Sequence, residues 1–269
     1  MAEGLARLRV LAESPVVDAL ATAFAAAGHE LAVVGGPVRD ALLGRDVHDL
    51  DFTTDADPST ILRIVTPIST AQWDIGRAFG TIGARVLGEQ VEITTYRADS
   101  YDGVTRKPTV EFGTALEPDL ARRDFTMNAM ALRVPQLQLV DPTGGVEDLL
   151  AGRLRTPGDP HVSFGDDPLR MLRAARFASQ LEVEVVPETV AAMAELRETL
   201  SIVSPERVQG ELVRLMQTDD PVRGIRLLVE TGLMAEFLPE VPALRLEVDE
   251  HHHHKDVYEH SLTVLRQAI

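Results

Sequence analysis

The apolar pattern changes along the chain, from strand-like in the first half to helical in the second, and this change most constrains the fold. Short β-branched or aliphatic runs, typical of strands, occupy residues 31–34, 48–53, 81–87 and 91–96. From Pro168 onward the spacing is helical, and several later prolines stand where a first helical turn would begin: Pro187, Pro205 and Pro221. The turn at residues 141–145 separates the patterns. We therefore predict an α+β fold, with a mixed sheet and helices first and an all-helical portion after it.

Individual elements follow from local signals. Residues 1–28 are expected to form one helix ending at Gly28, and Gly88 is expected to join two strands into a hairpin. Residues 98–108 are polar and predicted to form a mobile loop, and the pattern beyond Leu116 is helical. In the second half, helices are predicted at residues 168–180, 187–199, 205–217, 221–231 and 256–269.

Composition excludes several classes of protein. The 269 residues are 45% hydrophobic and 25% charged, which is typical of a folded chain and not of a disordered one. The absence of cysteine excludes disulfides, thiolate zinc sites and a cysteine nucleophile, and fits a reducing compartment. No apolar run reaches the roughly 18 residues of a membrane span, and the N-terminus lacks a signal-peptide pattern, so we expect a cytoplasmic protein. The net charge of −16 argues against a nucleic-acid partner, although clustered arginines leave room for a local basic groove.

Asp49-Leu50-Asp51 is the first candidate for chemistry. Residues two apart in a strand face the same side, so both carboxylates would project together while Leu50 points into the core. Paired carboxylates are ligands that Mg²⁺ prefers, with phosphate and water oxygens completing its shell. Such a pair also recurs by chance at solvated strand ends of acidic proteins.

Gly35-Gly36 and Arg39 precede this pair at a predicted strand-to-helix junction. Glycines allow backbone N–H groups to approach a phosphate, and a helix N-terminus favours negative charge. Arg39 could reach a triphosphate with its guanidinium. A plain turn with a surface arginine explains this segment equally well when it is read alone, but a phosphate cradle followed by paired carboxylates forms both halves of a metal–nucleotide site.

Five ordered blocks resemble those of the tRNA CCA-adding enzyme and bacterial poly(A) polymerase family, class II of the polymerase β-like nucleotidyltransferases. The resemblance covers about residues 30–269. The blocks are Val33-Val-Gly-Gly-Pro-Val-Arg-Asp-Ala-Leu-Leu-Gly44 with Asp49-Leu-Asp-Phe52, Asp119-Leu-Ala-Arg-Arg-Asp-Phe-Thr-Met-Asn-Ala129, Asp141-Pro-Thr-Gly-Gly145, Asp166-Asp-Pro-Leu-Arg-Met-Leu-Arg-Ala-Ala-Arg-Phe177 and Ser204-Pro-Glu-Arg-Val-Gln-Gly-Glu211.

The resemblance implies a nucleotidyltransferase head over residues 1–150, a helical neck and body over 151–245 for nucleotide selection and RNA binding, and the start of an HD-type domain over 246–269. The implied reaction adds CCA to the tRNA 3′ end from CTP and ATP, without a template, with two Mg²⁺ ions and release of pyrophosphate. The implied partners are the tRNA acceptor end and the nucleoside triphosphates, and the oligomeric state stays open.

The resemblance also implies roles for individual residues. Asp49 and Asp51 would be catalytic metal ligands, and Glu92 could add a third carboxylate from a neighbouring strand, although an ordinary surface position fits Glu92 equally well. The implied nucleotide-binding residues are Gly35, Gly36, Arg39, Arg123, Asp167, Arg170, Arg173 and Arg176. Among them, Asp167 and Arg170 would read the base, whereas Arg173 and Arg176 would bind phosphate or brace their helix. A ladder of helix ion pairs is the alternative for this segment. Arg207 and Glu211 are expected to pin neck helices together.

Several alternatives remain. A poly(A) polymerase, a CC-only transferase and an A-only transferase belong to the same family, and the intact loop at residues 102–107 favours full CCA addition. A non-catalytic RNA-binding fragment is the alternative of a different class. After the histidine tract 251–254, His260 would be the first ligand of an HD-type metal site, but no His-Asp doublet follows. We therefore expect a fragment, or a form lacking that domain, without phosphohydrolase activity.

Overall fold

The structure is a computed structural model that describes residues 2–47, 49–74, 76–100, 109–113, 115–246 and 257–269. The predictions for residues 101–108 and for the histidine tract lie outside these ranges. The chain divides into two compact units, Met1–Leu149 and Leu150–Ile269. Across the described ranges, no helix combines the length and the apolar character that a bilayer crossing requires.

Up to residue 151, the chain contains both helices and strands. The helices are α1 (Ala2–Ala12), α2 (Pro15–Ala26), α3 (Gly36–Leu43), α4 (Pro58–Val65), α5 (Leu116–Ala121) and α6 (Gly145–Ala151). The strands are β1 (Leu31–Val34), β2 (Leu50–Thr54), β3 (Ser69–Trp73), β4 (Thr81–Val86), β5 (Glu89–Thr95), β6 (Arg97–Ser100), β7 (Thr109–Phe112), β8 (Ala131–Val134) and β9 (Gln138–Val140). Short 3₁₀ helices occupy Thr66–Ile68, Arg77–Phe79 and Thr126–Asn128.

A mixed seven-stranded sheet organises the first unit, in the order β3-β4-β5-β2-β1-β8-β9. The pair β2–β5 is parallel, and the neighbouring pairs β1–β2 and β4–β5 are antiparallel. All four residues of β1 are buried, which explains why this strand is a continuous aliphatic run. Ala32 and Val34 pack with Leu116 and Leu120 of α5 in the core. The sheet therefore holds β2 rigidly near its centre.

The predicted hairpin of this unit is confirmed. The hairpin β4–β5 turns at Gly88, whose φ of 90° is accessible to glycine at little cost. Asp57 caps α4 by accepting hydrogen bonds from the backbone N–H groups of Ser59 and Thr60 at 2.8 and 2.9 Å.

Three other local predictions are wrong. The described part of residues 1–28 forms two helices, because Pro15 starts α2 and leaves Ser14 in an extended conformation. The loop predicted over residues 98–108 is wrong for its described part, residues 98–100, because Arg97–Ser100 pairs with Thr109–Phe112 as a strand. Beyond Leu116 the chain returns to the sheet as β8 and β9, because tertiary pairing with β1 outweighs the local helical pattern there.

The second unit is mainly helical. Its helices are α7 (Pro160–Asp166), α8 (Leu169–Leu181), α9 (Pro187–Glu195), α10 (Pro205–Met216), α11 (Pro221–Glu230), α12 (Glu240–Ala243) and α13 (Val257–Ala268). The short strands β10 (Arg153–Leu154) and β11 (Glu184–Val185) pair in parallel. Additional 3₁₀ helices occupy Arg197–Ile202, Leu233–Glu236 and Leu244–Leu246.

The helices α8, α10 and α11 pack together at the centre of this unit. Gly224 allows the close approach, because a Cβ atom there would lie 2.6 Å from the carbonyl oxygen of Ala175. The prolines Pro187, Pro205 and Pro221 each occupy the first turn of a helix, as their sequence positions predicted. The α+β fold class is confirmed.

Candidate active site

Asp51 and Glu92 lie opposite each other in the parallel pair of β2 and β5. Register partners in a sheet place their side chains on the same face, so the two carboxylates are neighbours. Asp49 directly precedes β2 and is exposed, while Leu50 between the two aspartates is half-buried. The structure therefore brings three carboxylates predicted from sequence to one region of the sheet.

The surroundings of Asp51 disfavour its negative charge. Burial, followed by the negative charge of Glu92, raises the pKa of Asp51 to about 6, with a further contribution from Asp49 and an opposing one from Arg123. A bound divalent cation would relieve this repulsion, and carboxylate oxygens are donors that Mg²⁺ prefers. The residues thus fit the predicted ion. In the part of the chain that the structure describes, no three acidic, histidine or cysteine side chains form a complete metal-binding group.

The N-terminus of α3 lies beside the Arg123 side chain. Gly35 caps this helix with a φ of 77°, and its N–H group donates to the carbonyl of Met130 at 3.1 Å. A Cβ atom on Gly35 would lie 3.3 Å from Nη1 of Arg123. The backbone conformation at Gly35 therefore favours glycine, and a side chain there would crowd the guanidinium.

Arg123 has donors available for an anion. Its Nη2 atom lies 3.4 Å from Oδ2 of Asp119, a long ion pair. Its Nε atom is buried and has no hydrogen-bond partner among the described residues. A guanidinium carries five N–H donors. Arg123 thus lies beside the α3 N-terminus, and its charge acts on the Asp51 carboxylate. Its role as a phosphate ligand stays a prediction.

Arg39 differs from its predicted environment. Its side chain is 5% exposed, and its Nε and Nη2 atoms donate to the two carboxylate oxygens of Asp40 at 2.9 Å each. Its Nη1 atom donates to Oδ1 of Asn128 at 2.6 Å. These contacts tie α3 to the 3₁₀ helix Thr126–Asn128. Arg39 therefore supports the backbone of the site, and its role as a triphosphate ligand stays a prediction.

Sequence reasoning gave no role to Asp119 or Asn128, although both lie in one of the five blocks. Asp119 is fully buried and is paired with Arg122 at 2.5 Å as well as with Arg123. Its spacing of three and four residues before these arginines on a helical segment was the signal that could have identified it. The contact between Asn128 and Arg39 spans 89 positions and had no local signal.

In the second unit, Asp167 and Arg170 lie at the junction of α7 and α8. Both side chains are partly exposed. The Asp167 carboxylate accepts a hydrogen bond from Nη2 of Arg207 at 3.1 Å and one from the backbone N–H of Leu169 at 3.2 Å. The Nη1 atom of Arg170 donates to Oγ of Ser163 at 2.8 Å. Hydrogen bonds from Arg207 and Leu169 thus orient the Asp167 carboxylate, and one to Ser163 orients the Arg170 guanidinium.

Arg173 and Arg176 brace α8 against α10. Nε of Arg176 donates to Oε2 of Glu211 at 2.7 Å, and the Arg176 side chain also stacks 4.0 Å above the ring of Phe177. Nη1 of Arg173 lies 3.8 Å from Oε1 of Glu211, which is 2% exposed. We predicted that these arginines bind phosphate or brace their helix. The contacts of Arg176 support bracing, because its side chain is buried.

Comparisons with known proteins agree with this geometry. A family model described as the poly A polymerase head domain matches residues 31–155, and one described as the probable RNA and SrmB-binding site of polymerase A matches residues 183–244. The chain belongs to the poly(A) polymerase and CCA-adding enzyme family. The two matched regions contain the carboxylates in the first unit and the α10 helix in the second.

Relatives in this family include the CCA-adding enzyme of Bacillus pumilus, 39% identical over 221 residues, which are 82% of this chain and 54% of the relative. The crystal structure of the Bacillus stearothermophilus CCA-adding enzyme in complex with CTP superposes with a TM-score of 0.75 at 35% identity, covering 84% of this chain and 55% of that one. The Thermotoga maritima CCA-adding enzyme complexed with tRNA_CCA superposes with a TM-score of 0.70 at 25% identity, covering 88% and 56%. The chain spans about half the length of the family members it matches.

Proposed function

We propose that this chain is the head and neck of a tRNA nucleotidyltransferase that adds CCA to the tRNA 3′ end from CTP and ATP. The observation that carries the proposal is the pair of carboxylates Asp51 and Glu92 on one sheet face, close enough to Arg123 for its charge to act on Asp51. The family supports it, since members have been crystallised with CTP and with tRNA_CCA. In this proposal residues 1–150 form the catalytic head and residues 151–245 the neck and body.

The first unit would bind the triphosphate and the metal. Asp49 and Asp51 would hold Mg²⁺ together with phosphate oxygens and water, and Glu92 would add negative charge beside them. When bound, the ion supplies Lewis acidity to the tRNA 3′-hydroxyl and to the triphosphate. Arg123 and the α3 N-terminus would hold the phosphates through N–H donors and positive charge.

The transfer is a substitution at the α-phosphorus of the nucleotide. The 3′-oxygen of tRNA gives its proton to solvent water and forms the new P–O bond, while the bond to pyrophosphate breaks and its electron pair leaves with pyrophosphate. Positioning of the two oxygens in line is the task of the carboxylates and of Arg123, because little other covalent chemistry is required of the protein.

The second unit would choose the base. Asp167 offers acceptors and Arg170 offers donors, the two kinds of group needed to pair with the polar edge of cytosine or adenine. Arg207 and Ser163 would keep these side chains in position through the contacts described above. Selection would then come from protein side chains, with no nucleic-acid template.

The test uses purified protein and three tRNAs that lack one, two or all three nucleotides of the CCA end. Each is incubated with CTP, with ATP and with both, in the presence of Mg²⁺. Extension that stops at CCA supports the proposal. A long A-tail would identify a poly(A) polymerase, extension by C alone or by A alone a partial transferase, and binding without extension a non-catalytic RNA-binding chain.

A further inference from the structure

We propose that Asp119 is a positioning residue that fixes the Arg123 guanidinium in its nucleotide-binding orientation and keeps it away from the carboxylates of the metal site. This inference rests on the proposed function, since it takes Arg123 as a phosphate ligand. It concerns a residue that touches neither nucleotide nor metal in the proposed mechanism.

Asp119 joins three segments of the first unit through its two carboxylate oxygens. Oδ1 accepts from Nη2 of Arg122 at 2.5 Å and from the backbone N–H of Arg97, the first residue of β6, at 3.2 Å. Oδ2 accepts from Oγ1 of Thr53 at 3.3 Å and from Nη2 of Arg123 at 3.4 Å. One side chain thus links α5 and its arginines to the start of the β6–β7 hairpin and to β2.

The position of Thr53 ties this network to the metal site. Thr53 and Asp51 are two residues apart in β2, so their side chains share one face of the strand. Asp119 therefore contacts the face of β2 that carries Asp51. A change at Asp119 is transmitted to the site through Thr53 and Arg123, without any need for a long path.

The Asp119 carboxylate is charged although it is 0% exposed. Burial alone would raise its pKa, but the guanidinium groups of Arg123 and Arg122 outweigh burial and lower the pKa below its ordinary value. A buried carboxylate with two cations exerts a directed force on both, because few water molecules screen it.

Arg123 lies between two sources of negative charge. Asp119 attracts it through the 3.4 Å pair, and the acidic register partners Asp51 and Glu92 lie on the face of the sheet that Thr53, another partner of Asp119, shares. If Asp119 loses its charge, Arg123 is drawn toward Asp51. An ion pair formed there would occupy the donors meant for phosphate and neutralise the carboxylates meant for Mg²⁺.

A double-mutant cycle tests this role with CTP and Mg²⁺ as the probe. Dissociation constants are measured by calorimetry for the wild type, Asp119→Asn, Arg123→Ala and the double variant, and steady-state kinetics on tRNA give KM and kcat. We expect Asp119→Asn to weaken CTP binding about tenfold, the order expected for one charge-assisted contact. In the Arg123→Ala background, the same change is expected to weaken binding by no more than about twofold.

The control is Asp148→Asn. Asp148 is equally buried and accepts a hydrogen bond from Oγ1 of Thr126 at 2.7 Å, so its loss affects the fold without removing a partner of Arg123. We expect its effect on CTP binding to be small and to be the same with and without Arg123. Thermal unfolding of every variant identifies those that fail to fold, and Asp119→Asn keeps the shape and volume of the native side chain.

The binding cycle and the transfer assay separate a failure of the Asp119 proposal from a failure of the proposed function. Additive effects of Asp119→Asn and Arg123→Ala would overturn the positioning role, as would a cycle with Arg122→Ala that removes the Asp119 effect. A wild type that binds CTP but transfers no nucleotide would overturn the proposed function, while the binding cycle would still judge Asp119. A wild type that binds no CTP would overturn both.

Discussion

Asp51 and Glu92 are register partners in the parallel strand pair β2–β5, so two acidic side chains stand side by side on the sheet. Like charges directly opposite each other destabilise a sheet. The raised pKa of Asp51 expresses the same cost, to which burial contributes most. The arrangement thus lowers stability at the position where, in the proposed function, a cation binds.

Replacement of Asp51 should therefore separate stability from activity. We expect Asp51→Asn to increase the free energy of unfolding in metal-free buffer by about 1 to 3 kcal/mol, the order that corresponds to the displacement of its pKa. Nucleotide transfer should fall more than about a hundredfold, because the variant lacks a carboxylate that is proposed to hold the metal ion. Urea unfolding and tRNA extension are the measurements.

Asp49→Asn is the matched control for this prediction. Asp49 is exposed, so its replacement should change the free energy of unfolding by less than about 0.5 kcal/mol while it abolishes transfer. A destabilised Asp51→Asn, or more than about a tenth of wild-type activity in either variant, would contradict the assignment of this pair.

Binding of Mg²⁺ with CTP should stabilise the wild type by mass action. We expect both ligands together, at roughly ten times their dissociation constants, to raise Tm by about 2 to 4 °C. In Asp51→Asn, the addition of Mg²⁺ at constant CTP should no longer raise Tm. A fluorimetric melting series with and without EDTA measures this increment, and an equal increment in the variant would place the ion elsewhere.

The sequence predicted those parts of the fold that depend on local signals. Prolines at first helical turns and the Gly88 hairpin each act over a few residues, so their patterns could be interpreted directly. Strands β8 and β9 were not predicted, because β1, with which β8 pairs, lies about a hundred positions earlier and their own residues also suit a helix.

The sequence predicted which residues belong to the candidate site better than it predicted what each residue contacts. The pairing of Asp51 with Glu92 follows from strand register, which a single sequence does not reveal. Arg39 resembled a free phosphate ligand because its partner Asn128 is remote in sequence, and burial of Arg176 depends on Glu211 from another helix. Charged residues in a core are recognised only once their partners are known.

Acid should affect the Asp119 network in a defined pH range. The pKa of Asp119 is lowered in the folded protein, so its contribution to stability is present above the ordinary value of 3.8 and is lost as pH falls through the lower folded value. We expect wild type to be more stable than Asp119→Asn at pH 7 and pH 5, with the difference narrowing below pH 3.8. Urea unfolding across this range tests it, and a constant difference would contradict the charged assignment.

Glu211 should be essential to the second unit. It is 2% exposed and contacts Arg173, Arg176 and Arg214, so its removal leaves a buried guanidinium without its carboxylate. We expect Glu211→Ala to lower the free energy of unfolding by about 3 kcal/mol. Glu230→Ala, at the exposed end of α11, should cost less than about 0.5 kcal/mol. If both variants lost similar amounts of unfolding free energy, the buried ion pairs of Glu211 would not be a special source of stability.

Arg207 should influence the choice of nucleotide without contacting it. Its ion pair with Asp167 is partly exposed, with side chains 53% and 33% accessible, so Arg207→Ala should change stability by less than about 1 kcal/mol. Asp167 would nevertheless lose the donor that orients its carboxylate. We expect the ratio of kcat/KM for CTP over UTP to fall about threefold to tenfold, the range that one misplaced polar contact can cause.

The control for Arg207 is Arg223→Ala on α11, which breaks a comparable ion pair with Glu184 at 3.1 Å. Because Glu184 has no part in the proposed base-reading pair, this variant should keep the wild-type ratio. Competition between CTP and UTP for extension of a tRNA that lacks CCA gives the ratio directly. If Arg207→Ala selects CTP as well as Arg223→Ala does, the Asp167 carboxylate is oriented by other contacts, with the N–H group of Leu169 as the first candidate.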